Sequence, residues 1–218
     1  MARSSTRPAS EPPRPAPRLY VLAPAADAAG IAAQAEALRQ AAAEVDIAAV
    51  LLRPAAGAAA TTLAPLLDAC QAIGAAGLVD GAATLVATLG ADGAHVDAVP
   101  ALKAAVAALR PDGIVGAGGL RSKHDAMTAA ESGADYVMFG EPDAEGRRPP
   151  FEATLERTEW WAQLFEPPCV GYARTLEEVE ALVAAGADFI AVDTLVFEAP
   201  IEGARALAAR LVLPAEAS

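Results

Sequence analysis

Histidine and cysteine are nearly absent from this chain of 218 residues, which holds two of each. Cys70 falls on a predicted helix and Cys169 on a predicted strand, so the pair offers neither metal-ligand spacing nor a disulfide framework and reads as two small buried hydrophobes. Aromatic residues make up only 5%, which leaves Ala-rich helices to pack closely on a sheet. Long apolar runs are missing too. No segment reaches the roughly 20 apolar residues that span a bilayer, and the N-terminus has no apolar stretch of the secretory kind; no membrane partner and a cytoplasmic location are expected. Positive charge is scarce, with 16 Lys and Arg against 28 Asp and Glu and a net charge of −12. Without a basic stripe, nucleic acid is excluded as a partner.

What the chain has in abundance is one repeated junction. Gly90-Ala91-Asp92, Gly133-Ala134-Asp135 and Gly186-Ala187-Asp188 each end a helical stretch and lead into a short apolar run. The glycine suits a left-handed helix cap, and a strand such as Tyr136-Val137-Met138-Phe139 follows. Eight strand-like runs recur: Leu19–Ala23, Ile47–Leu52, Gly77–Asp80, Gly93–Asp97, Gly113–Ala117, Tyr136–Glu141, Cys169–Ala173 and Phe189–Leu195. A helix-compatible segment follows each; Thr175 and Glu178 have capping-box spacing, with Leu176, Val179, Leu182 and Val183 on one face behind them. Eight such units predict a single (β/α)8 barrel, an α/β TIM barrel near the lower size limit of the fold.

The predicted domain is 18–218. Residues 1–17, rich in Pro, Ser and Arg with no apolar period, predict a disordered basic tail. The segment holding Phe151, Leu155, Trp160, Trp161 and Phe165 concentrates the aromatic bulk; its first use is packing, its second a subunit contact in a homo-oligomer.

Chemistry in such a barrel sits at the carboxyl ends of the strands. There the chain places Arg53, Asp80, His95 with Asp97, Gly116 to Gly119, Glu141 with Asp143, Tyr172 with Arg174, and Asp193 with Thr194. Asp80 and Asp97 suit a divalent cation bridging phosphate oxygens; the competing use of each is to cap the next helix. Gly118 and Gly119 stand before a helix start marked by Ser122 and Asp125, and either cradle a phosphate or simply turn strand into helix. Arg121, Lys123 and His124 make that loop basic. From Gly140 to Pro150 no period holds, and Arg147 and Arg148 make the stretch either a lid over an anion or a solvated loop.

The order of these units resembles the thiamine-phosphate synthase family, which includes the thiazole tautomerases. The resemblance is carried by Glu131-Ser132-Gly133-Ala134-Asp135-Tyr136-Val137-Met138-Phe139-Gly140, by Gly90 to His95, and by Ala185 to Val192. It implies a (β/α)8 barrel that joins a hydroxymethylpyrimidine diphosphate to a thiazole phosphate with magnesium, releasing pyrophosphate. The small phosphorylated substrates would meet Arg53, Arg148 and His124 as catalytic groups. Gly118, Gly119, Glu141, Gly171, Tyr172, Asp193 and Thr194 would line the substrates, and Asp80 and Asp97 would hold magnesium.

The chain departs from the family pattern at several of these places. Leu51 and Ala55 stand where the family has Gln and Lys beside Arg53, and Val79-Asp80 where it has Asn-Asp. The family's Gly-Gln-x-Asp after the strand-four histidine is replaced by Val96-Asp97-Ala98-Val99. Arg148 takes the place of a lysine, Tyr172-Ala173 that of twin glycines, and Thr194 that of a serine. These changes keep open an alternative: a catalytically inactive or repurposed member that binds another phosphorylated ligand or a partner protein.

Overall fold

The aspartate of each Gly-Ala-Asp junction clamps a neighbouring strand. In the computed structural model, which describes residues 14–213 apart from Ala82 and Ala144, the three glycines lie at φ of 69°, 94° and 88°, where only glycine closes a helix without strain. The Asp92 N–H then donates to Gly77 O (2.9 Å) while Asp92 Oδ2 accepts from the Gly77 N–H (2.7 Å). Asp135 holds Val115 in the same two-point way at 2.8 and 2.8 Å, and Asp188 holds Cys169 at 3.0 and 2.8 Å. One residue thereby pairs both polar groups of a strand's first turn at the amino end of the barrel.

Eight parallel strands close in sequence order, the last returning to the first. They are β1 (Arg18–Ala23), β2 (Ile47–Leu52), β3 (Ala76–Asp80), β4 (Gly93–Asp97), β5 (Ile114–Gly118), β6 (Tyr136–Phe139), β7 (Cys169–Tyr172) and β8 (Phe189–Val192). Between and after them run α1 (Ala28–Ala42), a short 3-10 turn leading into α2 (Ala64–Ile73), α3 (Ala83–Leu89), α4 (Val99–Leu109), α5 (Lys123–Glu131), α6 (Phe151–Leu164), α7 (Leu176–Ala185), α8 (Thr194–Phe197) and α9 (Pro200–Ala208). The TIM-barrel architecture expected from the sequence is the one observed.

Several strand ends differ from the expectation: β1 and β3 begin one residue earlier and β7 ends one residue earlier. β6 stops at Phe139 rather than Glu141 because Gly140, at φ 88°, turns the chain out of the sheet. β8 stops at Val192 rather than Leu195 because Asp193 caps α8, its carboxylate accepting from the Thr194 N–H. β5 runs one residue later than Gly113–Ala117.

Alternation along the strands splits the core in two layers. Tyr20, Leu22, Leu51, Leu78, Tyr136, Met138, Val170 and Tyr172 fill the barrel interior, and the other face of each strand packs against the helices. Trp161 is fully buried there, stacked on Phe165 and edge-on to Phe139, while Leu164 at the end of α6 is 66% exposed. Cys70 and Cys169 are free and buried, and burial pushes both thiols up to about 12. Of the expected 1–17 tail, residues 1–13 lie outside the described residues; Arg14 pairs with Asp188 at 3.1 Å and Pro17 is buried.

Candidate functional site

At the carboxyl mouth Arg53 after β2, Asp97 at the end of β4 and the segments following β4, β5 and β6 line a cavity of about 820 Å³. Arg53, the first residue beyond β2, projects over it. Its Nε donates to Asp80 Oδ2 (3.0 Å) and its Nη2 to Pro142 O (3.2 Å), so one guanidinium ties β2 to β3 and to the loop after β6. Burial raises the Asp80 carboxyl above its ordinary value despite the adjoining Arg53 charge. The strand-six loop is further laced by Asp143, which accepts from the Glu145 and Arg147 N–H groups and the Arg147 side chain, and by Arg174, which donates to Gly146 O. The loop is thus held at both edges, by Arg53 at Pro142 O and by Arg174 at Gly146 O.

Deeper in the mouth lies a polar chain. Tyr20 and Tyr136 share a hydrogen bond of 2.8 Å, and the Tyr136 hydroxyl meets His95 Nδ1 at 2.9 Å. His95 is 1% exposed, and its Nε2 has no hydrogen-bond partner among the described residues. Burial lowers the imidazole to about 4, Asp97 pulling the other way and Arg53 adding to the fall, so the ring is neutral at pH 7. Asp97 and Glu141 stand beside it: one ligand-type atom from each of the three residues lies within 4.8 Å of the others. Desolvation raises Glu141 to about 7, although its Oε1 accepts from the Gly119 N–H at 2.6 Å.

Glycine makes this approach possible. A Cβ on Gly118 would overlap His95 Nε2 and lie 2.6 Å from Glu141 Oε1, and one on Gly116 would overlap the Tyr136 ring. Ala98, directly after Asp97, sits at φ 73° and ψ 140°, a conformation that costs a non-glycine residue about 1–3 kcal/mol. Gly118 and Gly119 do not form an open phosphate cradle, since the Gly119 N–H is taken by Glu141.

On the far side, Arg148 lies 5.9 Å from the Tyr172 ring centre and is claimed by Glu178. The two side chains form parallel hydrogen bonds of 2.6 and 2.7 Å, and the Arg174 N–H donates to the same carboxylate. Tyr172 donates to Asp193 Oδ2 (2.8 Å); burial and that carboxylate push the phenol up to about 12.

The structure brings Arg53, Asp80, Asp97, Gly119, Glu141 and Arg148 to the mouth and sends others elsewhere. His124 is an exposed residue in the first turn of α5 and does not line the cavity. Gly171 faces outward, where a Cβ would meet Leu182 of α7. Asp193 and Thr194 serve the start of α8, the Thr194 hydroxyl lying 3.3 Å from Asp193 Oδ1. Tyr20 and Tyr136 were not among the expected site residues, although both occupy inward positions of predicted strands.

Of the expected magnesium pair, Asp80 gives one carboxylate oxygen to Arg53, and Asp97 stands with His95 and Glu141 in the group of three whose ligand atoms converge.

A closed parallel barrel with ionisable side chains gathered at the carboxyl mouth defines a (β/α)8 barrel protein. Within that class the chain belongs to the thiamine monophosphate synthase family, whose model matches residues 19–196. Thiamine-phosphate synthase from Hyphomonas neptunium is 38% identical over 202 residues, covering 84% of this chain and 86% of the relative. That from Erythrobacter litoralis is 38% identical over 146 residues, 64% of this chain and 68% of the relative. The fold also matches thiamine phosphate pyrophosphorylase from Pyrococcus furiosus, with a TM-score of 0.70 and 21% identity over 89% of this chain and 95% of that one.

Proposed function

We propose that this protein is a thiamine-phosphate synthase, joining the methylene carbon of a hydroxymethylpyrimidine diphosphate to the nitrogen of a thiazole phosphate as the carbon–oxygen bond to pyrophosphate breaks. The observation that carries the reading is the family match running from β1 into α8. Negative charge grows on the departing pyrophosphate, and Arg53 is the group placed to meet it. Its planar fork now rests on Asp80 and Pro142 O and would exchange these for phosphate oxygens. Arg121 and Arg157, which line the same cavity, add to the positive field.

A second reading, a member that binds a different phosphorylated ligand, is favoured by Arg148, the stand-in for the family's lysine, being neutralised by Glu178. The test is thiamine phosphate formation by purified protein supplied with both substrates and magnesium, with Arg53→Ala as control. Turnover lost in the variant supports the synthase. No turnover above background overturns it in favour of the second reading.

A further inference from the structure

We propose that His95, Asp97 and Glu141 form a binding site for a divalent transition-metal cation, open to the mouth cavity. The inference goes beyond the synthase reading and does not depend on it. Among the described residues this is the group of three whose ligand atoms converge, all within 4.8 Å of one another. Metal–ligand bonds of about 2.0–2.2 Å put two ligands no more than about 4.4 Å apart, so a small closure of the side chains completes the site.

The independent observation is the orphaned imidazole nitrogen. His95 is 1% exposed, and Nε2 lacks a partner among the described residues while Nδ1 is held by the Tyr136 hydroxyl. A buried polar atom without a partner is costly. Here it points into the space that Gly118 leaves empty, next to Glu141 Oε1. With Nδ1–H donating to Tyr136, which is backed in turn by Tyr20, the lone pair of Nε2 faces Asp97 and Glu141. This is how proteins orient a ligating histidine, through a hydrogen bond on its other nitrogen.

Ligand chemistry selects the class of metal. One imidazole with two carboxylates suits zinc, manganese or iron(II) better than magnesium. The two carboxylate charges balance a divalent ion. Asp97 and Glu141 both line the cavity, so the remaining coordination positions face the space where a ligand would enter, the arrangement of a site that keeps positions open.

The test uses Zn²⁺ alone added to the full chain, read by long-range ¹⁵N correlation spectra of the imidazoles. The chain has two histidines, so each ring is resolved, and exposed His124 is the internal control. One equivalent of Zn²⁺ is expected to shift the Nε2 resonance of His95 and leave His124 unmoved, with Mg²⁺ alone producing no shift. Glu141→Gln and Asp97→Asn are each expected to weaken Zn²⁺ binding by about tenfold or more, and Tyr136→Phe by about 10- to 100-fold. A His95 ring unmoved by stoichiometric Zn²⁺ in the wild-type chain overturns the proposal whatever the variants do. Zn²⁺ binding unchanged by both carboxylate substitutions overturns it as well. Neither result bears on thiamine phosphate formation.

Discussion

Arg148 and Glu178 close on each other through two parallel hydrogen bonds of 2.6 and 2.7 Å, with both side chains less than one-fifth exposed. Burial alone would raise the Glu178 carboxyl, but the Arg148 guanidinium and the Arg174 N–H outweigh it and hold the group below its ordinary 4.5. Because the folded-state value is depressed, the pair's contribution is present above pH 4.5 and is lost as pH falls through the lower folded value, where the unfolded chain takes up the proton first. Denaturant midpoints measured from pH 7 to pH 3 should therefore fall more steeply in the wild type than in Glu178→Gln. Parallel curves would show that the pair carries no linkage.

The amino-end clamps should matter to stability and not to chemistry. Asp135 accepts from the Val115 N–H and from Arg110, each at 2.8 Å. Asp135→Ala leaves the strand's N–H without its acceptor, a loss of about 1–3 kcal/mol, while Asp135→Asn keeps a carbonyl oxygen there and should lose less. Equilibrium denaturation checks the order. Ligand binding at the mouth should be unchanged in both, since they lie at the opposite end of the barrel from the cavity.

Ala98 offers the reverse case. Its φ of 73° is tolerated by glycine, and relieving about 1–3 kcal/mol of backbone strain exceeds the roughly 0.5–1 kcal/mol of extra chain entropy that glycine loses on folding. Ala98→Gly should raise the denaturation midpoint. A lower midpoint would mean that the methyl group holds the start of α4 through contacts that outweigh the strain.

The barrel was legible because its signals are local. A glycine cap, an aspartate and an apolar run recur at each Gly-Ala-Asp junction, and each member of the triplet has its own backbone task. The site was less legible because its partners are remote in sequence. Spacing assigned Glu178 to the cap of α7, and the Thr175 hydroxyl does accept from the Glu178 N–H, yet the Glu178 carboxylate goes to Arg148, 30 residues away. Gly171 was expected to line the substrates through the family resemblance, whereas inward and outward residues alternate and it falls on the outer face. His95, Tyr136 and Tyr20 meet across three strands, a juxtaposition that depends on barrel closure and register. His124 was expected at the site from its basic loop and the family resemblance, and the first turn of α5 leaves it exposed.

Arg53 is the place where loop order and anion binding can be separated. Its Nε and Nη2 reach Asp80 and Pro142 O in different directions, which a planar fork can do and a single ammonium cannot do as well. Arg53→Lys keeps the charge but gives up one of the two anchors. Amide exchange in residues 141–147 should then accelerate, while β2 and β3 stay protected. If Arg53 also meets the departing pyrophosphate, turnover in the same variant should drop by roughly 10²-fold or more. Faster loop exchange with undiminished turnover would leave Arg53 as a tether of the strand-six loop, and the charge on the leaving group would have to be met by Arg121 and Arg157, which line the same cavity.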